Sequence, residues 1–184
     1  MAVRKIVIAG FLVACAAPAA ASVVVVGSGD ARLCFQAADS PMLPQVTDIR
    51  HCDDAIAEGA LTTYEMVATH VNRGILRLRR NQIDESIADF DAAMRLDPNQ
   101  PEAYLNKGAA LIRRENPSEA AQLFTVALEH NTRRPEVAHY GRAVANEALG
   151  NVREAYQDYR LAAELAPGWS APRADLQRFR VVQR

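Results

Sequence analysis

Small, aromatic and proline positions recur along this chain at a fixed interval, with charged residues between them. Gly74, Gly108 and Ala143 form one aligned set, and Ser86, Ala120 and Ala155 form the next. Phe90, Phe124 and Tyr159 follow, then Ala93, Ala127 and Ala162, and the pattern ends on Pro98, Thr132 and Pro167. The first two registers are 34 residues apart, and the third needs one extra residue near Pro135. Within each register the pattern predicts two antiparallel helices. Small residues halfway along the first helix and near the start of the second let the axes approach to roughly 8–10 Å. The aromatic then fills the gap between successive hairpins, and the alanine three residues on shares its face. Proline ends the second helix, because it lacks a backbone donor and clashes with the carbonyl one turn back.

Helix-start signals fall in step with this period. Asn116 with Glu119, and Asn151 with Glu154, have capping-box spacing. Pro101, Pro117 and Pro135 sit where a first helical residue is expected, a position that tolerates the missing N–H. On these residues the chain resembles the tetratricopeptide-repeat superfamily, whose 34-residue unit is a helix-turn-helix with this order of small, aromatic and proline positions. The resemblance covers residues 67–169 and implies an all-α solenoid of three repeats, 67–100, 101–134 and 136–169. Such hairpins cannot bury their apolar faces alone and are stabilised by their neighbours.

Two flanking regions extend the array. In residues 22–66 a strand-like segment precedes a degenerate helical hairpin, where Cys52, Ile56 and Gly59 take the slots that Ser86, Phe90 and Ala93 hold one period later. Pro41 and Pro44 keep the first helix of that hairpin short. The segment Ser22 to Ala31 carries four consecutive valines and favours an extended chain. A lone strand in a helical protein must dock on a helix or pair with another copy, and both remain open here. Residues 170–184 continue as a capping helix with Leu176 and Phe179 on one face, and Trp169 packs at the junction.

The first 21 residues read as a secretory signal peptide. Arg4 and Lys5 precede an apolar core from Ile6 to Ala14, too short for the ~20 residues that span a bilayer. Ala19-Ala20-Ala21 then gives a small-residue cleavage site before Ser22. Leu12-Val13-Ala14-Cys15 also fits a lipobox with Cys15 lipidated. Simple cleavage is favoured because Ala16 to Val26 stays apolar rather than becoming a polar tether. The expected location is the periplasm or the exterior, with a membrane-anchored lipoprotein as the alternative. Cys34 and Cys52 then remain, and an even pair in an exported chain reads as a disulfide; two buried thiols are the other reading. The bridge would add roughly 3 kcal/mol by loop entropy.

Charge narrows the partners. Arg4 and Lys5 are the only charges in the signal, so the mature chain carries 19 cations and 22 anions, near −3. It has no broad basic field for nucleic acid. Catalytic signatures are missing as well. His51, His70, His130 and His139 lack zinc-motif spacing, and no Gly-x-Ser-x-Gly elbow is present. His70, Tyr104 and His139 occupy equivalent slots and read as packing residues. The carboxylates Asp84, Glu85, Asp89 and Asp91 read as a solvated face. No enzyme activity, metal or cofactor is expected.

The resemblance implies that the first helices line a concave groove for a peptide or protein partner. Val71, Ile75, Leu78 and Arg79 would line it in the first repeat, and Leu105, Asn106, Ala109, Ile112 and Arg113 in the second. Tyr140, Val144 and Glu147 would line it in the third. One groove of this superfamily, the carboxylate clamp for acidic chaperone C-termini, needs Lys, Asn and Arg where this chain has Val71, Ile75, Val137 and Gly141; only Asn106 fits. An apolar groove with an arginine edge suits a helix or extended peptide with apolar anchors. The competing expectation is that the protein's own N-terminal segment or C-terminal helix covers these residues. As a class, the sequence therefore reads as an interaction module. A structural envelope component, anchored through Cys15 or self-associated through Val23 to Val26, is the alternative.

Overall fold

The structure, a computed structural model, describes residues 21–25 and 29–179. Among these it is all helical. The helices are α1 (Gly29–Asp39), α2 (Val46–Glu58), α3 (Thr63–Arg79), α4 (Ile83–Leu96), α5 (Pro101–Arg113), α6 (Pro117–Glu129), α7 (Pro135–Ala148), α8 (Val152–Leu165) and α9 (Ser170–Leu176). Consecutive helices pair as antiparallel hairpins, and each hairpin packs on the next. α3, α5 and α7 lie side by side as the inner layer.

Local chemistry sets the boundaries. Pro101, Pro117 and Pro135 occupy the first helical positions of α5, α6 and α7. Asn116 accepts from the Glu119 amide at 3.4 Å, whereas Asn151 makes no cap and bonds Asn146 instead. A full capping box stands at Thr62 and Glu65, ahead of α3. The turns inside the three repeats each need a left-handed residue, supplied by Asn81, Glu115 and Gly150.

The small-residue sets do the packing expected of them. Ser86, Ala120 and Ala155 are fully buried, as are the rings of Phe90, Phe124 and Tyr159. A Cβ on Gly74 would stand 2.5 Å from the Phe90 ring. Phe124 is gripped from two hairpins. A Cβ would come within 3.0 Å of it from Gly108 and within 2.3 Å from Gly141. Gly141, placed by sequence among the missing clamp residues, is thus a close-approach glycine.

The ends differ from each other. At the N-terminus a Cys34–Cys52 disulfide joins α1 to α2 with Cα atoms 5.0 Å apart, and Asp30 meets His51 Nδ1 at 2.7 Å. At the C-terminus the capping helix is shorter than expected. It stops at Leu176, and Phe179 turns back to pack between Tyr156 and Tyr159. Trp169 stacks on Tyr140 with centroids 4.7 Å apart. Cys15 and most of the signal region lie outside the described residues, as do residues 180–184.

Candidate partner-binding groove

The inner faces of α3 and α5 already hold an extended peptide, and it is the protein's own residues 21–25. Asn72 on α3 grips Val23 at both main-chain groups. The Val23 N–H donates to Asn72 Oδ1 at 3.0 Å, and Asn72 Nδ2 donates to the Val23 carbonyl at 2.8 Å. Asn106, one period later on α5, donates from Nδ2 to the Ala21 carbonyl at 3.3 Å and to the Glu102 carbonyl at 2.8 Å. Tyr64 donates to the Val24 carbonyl at 3.2 Å, and the Ser22 hydroxyl donates to Asp39 at 2.8 Å. Ala21, Val23 and Val25 point inward and are buried, while Val24 is exposed. That alternation is the period of an extended strand. Of the two fates open to the valine run, the chain adopts docking on helices.

The arginine edge is largely engaged as well. Arg79 donates to the carbonyls of Ala38 and Ser40 from Nη1, at 3.3 and 2.7 Å, and to that of Met42 from Nη2. It thereby ties α3 to the end of α1. Burial pulls its guanidinium below the usual value, with Asp48 opposing. Arg113 stays exposed and reaches back to the Leu78 carbonyl at 2.6 Å.

On the other side of the inner helices lie two charged clusters. Asp89 on α4 accepts from Arg73 at 2.6 Å and Arg77 at 2.8 Å, and meets His70 Nδ1 at 3.3 Å. Asp158 on α8 meets Arg142 and His139 Nδ1, each at 2.8 Å. Burial works against ionisation of both carboxyls. The hydrogen bonds and charges of their partners outweigh it and hold both below the usual carboxylate range. Asp89 is therefore not part of a solvated face: it is 2% exposed, because the first helix offers it two guanidinium groups and an imidazole. These sites hold helices together. Among the described residues no group of His, Cys, Asp and Glu is placed to hold a metal.

Residues 71–137 match the tetratricopeptide repeat family model. That segment is a run of tetratricopeptide repeats, set within an array of helical hairpins. Its fold is similar to the first tetratricopeptide domain of human RPAP3, at 26% identity and a TM-score of 0.58, over 61% of this chain and 88% of that one. It is also similar to the first such domain of Spaghetti (RPAP3) bound to the HSP90 peptide SRMEEVD. There the identity is 24% and the TM-score 0.59, over 62% of this chain and 90% of that one. No curated protein matches the sequence.

Within this tetratricopeptide array, the expected groove residues divide into three groups. Val71, Ile75, Leu78 and Leu105 are buried, so the exposed apolar row anticipated from sequence does not exist. The docked segment and the neighbouring helices form one core with them. Asn106 is buried against the segment too. Ala109, Ile112 and Val144 are half-buried, and Arg113 is open. Tyr140 is half-buried, with its hydroxyl on Asp175 at 2.8 Å. Glu147 is buried, accepting from Tyr159 and Arg178, each at 2.7 Å. Burial and the Glu147 charge push the Tyr159 phenol far up, so it stays a donor. Sequence reasoning missed Asn72. The signal was available, since Asn72 lies one 34-residue period before Asn106, in the same slot of the first helix.

Proposed function

We propose that this protein is a non-catalytic interaction module of the cell envelope, exported and cleaved before Ser22, that binds a peptide or protein partner on its concave face. The observation that carries the reading is the seating of Ser22 to Val25, the part of the docked segment that remains after cleavage. Asn72 of α3 holds both main-chain groups of Val23 through its carboxamide, contacts that recognise main chain and not side-chain identity. A groove surface built this way accepts extended segments.

The docked segment completes the concave face rather than leaving it empty. The strip still open runs from Ala109, Ile112 and Arg113 on α5 to Val144 on α7. It suits an extended segment with apolar side chains and an acidic group for Arg113. An acidic chaperone C-terminus of the kind bound by Spaghetti is a poor fit, because Val71, Ile75 and Val137 are buried aliphatics. Self-association through the valine run is disfavoured by the same seating, since Val23 and Val25 face the protein's own helices.

Capture from envelope extract followed by cross-linking tests the reading. Ile112→Glu with Val144→Glu should keep the helical spectrum and lose the partner, since central apolar anchors carry about 2 kcal/mol or more. Retained capture by the folded double variant would move binding to another surface. A lipid-modified Cys15 in the purified protein would replace free export with anchoring.

A further inference from the structure

The Asn106 side chain is 1% exposed, yet its Oδ1 has no hydrogen-bond partner. Its Nδ2 is occupied by the carbonyls of Glu102 and Ala21. The nitrogen bonded to that Ala21 carbonyl belongs to Ser22. On the other side of the same residue, the Ser22 hydroxyl holds the Asp39 carboxylate at 2.8 Å. Hydroxyl and nitrogen hang from adjacent carbons of Ser22, so the side chain with the orphaned acceptor bonds the carbonyl on one side of that nitrogen and an anion bonds the hydroxyl on the other. Asn72 fixes the register by clamping Val23, the next residue.

We propose that Asn106 Oδ1 and Asp39 form a receptor for an α-ammonium group, that of Ser22 after cleavage behind Ala21; this rests on the export reading above. In that step a signal peptidase adds water to the Ala21 carbonyl and the C–N bond breaks. Ala21 leaves as a carboxylate with the leader, and the Ser22 nitrogen takes up protons to become an ammonium. Asn106 Nδ2 then keeps Glu102 as its acceptor, and Oδ1 gains the donor it lacks. Asp39 of α1 attracts the ammonium, and the Glu102 carboxylate of α5 is turned to the Arg133 amide. Arg79 of α3, bonded to the carbonyls on either side of Asp39, opposes. The cleaved terminus thus becomes a fixed part of the groove wall, and processing completes the fold.

The test uses the exported protein labelled with 13C-serine. Intact mass identifies the first residue, and the Ser22 Cα shift is followed against pH. The amine should titrate above the ordinary range of about 7.7–8.0, with roughly tenfold tighter proton binding. Asp39→Asn, at an exposed position, should abolish that rise. Titration within the ordinary range overturns the receptor, and so does titration below it, which burial alone would produce. A mature mass beginning elsewhere than Ser22 instead overturns the cleavage reading on which the receptor depends.

Discussion

The outer repeats and the middle one meet the same packing demand with opposite chemistry. In the first, Arg73 on α3 bonds Asp89 of its own hairpin and reaches back to Asp53 of the preceding one at 2.7 Å. In the third, Arg142 on α7 bonds Asp158 and reaches back to Thr125 at 3.1 Å. The equivalent middle positions are Lys107 and Leu123. Lys107 keeps the bridging role, meeting Asp91 of the preceding hairpin at 2.9 Å and Glu119 of its own at 3.3 Å, but both acceptors are well exposed. What closes the middle is Phe124, wedged between Gly108 and Gly141. The first repeat has such a ring too, Phe90 against Gly74, but the flanks add buried charge and the centre relies on its ring. A buried charge tolerates loss of its partner poorly.

That contrast predicts the largest effect at Asp89. Asp89→Ala strands His70 and leaves Arg73 and Arg77 only the half-exposed Asp53, and about 3–5 kcal/mol of stability should go with it. Asp158→Ala should behave alike, and denaturant unfolding measures both. Losses under 1 kcal/mol would mean the flanks are held by packing alone.

Next in size is Gly141→Leu. The ring it meets is 1% exposed and has nowhere to move. Overpacking should remove about 3 kcal/mol. Gly141→Ala should also destabilise more than Gly108→Ala, whose added Cβ meets the ring at 3.0 Å rather than 2.3 Å. Equal melting temperatures for the two alanine variants would remove Phe124 from its central role.

These sites also show what was legible in the sequence. The repeat was, because each slot is filled by residues whose size is dictated locally: Gly108 and Phe124 announce themselves by period alone. The disulfide was legible too, from an even cysteine pair. Burial of Asp89 was not, because a carboxylate on a second helix looks solvated until the guanidinium groups opposite are known. Nor was the filled groove. Val71, Ile75 and Leu105 have the right spacing for an open face, but they share one core with a segment docked from some 50 residues upstream of Asn72 and with the neighbouring helices. Such non-local contacts leave no periodic trace. Asn72 is the exception, since its match to Asn106 was periodic and went unused.

Acid should erase the advantage of the flanks. The partners of Asp89 and Asp158 hold both folded carboxyls below the usual carboxylate range. The unfolded chain therefore takes up protons first as pH falls. The stability the two clusters supply is fully present above about pH 5 and is lost as pH drops through the depressed folded values. Stability measured down to pH 2 should fall more steeply in wild type than in an Asp89→Asn, Asp158→Asn variant. Parallel curves would mean that neither carboxylate gains from its partners.

The smallest effect should come from Lys107→Met. Its ammonium is raised in proton affinity, with burial opposing and Asp91 and Glu119 favouring the charge. Those acceptors are 37% and 43% exposed, however, so water screens both pairs and readily takes over when the lysine goes. The methionine keeps the aliphatic contacts of the stem. A loss of about 0.5 kcal/mol is expected, shrinking further in high salt. Arg73→Met, at the equivalent position of the first repeat, should lose several times as much, because Asp89 would then be buried with fewer donors. Comparable losses for the two variants would mean that the cation bridges all hairpins equally, and the division between charged flanks and an apolar centre would fail.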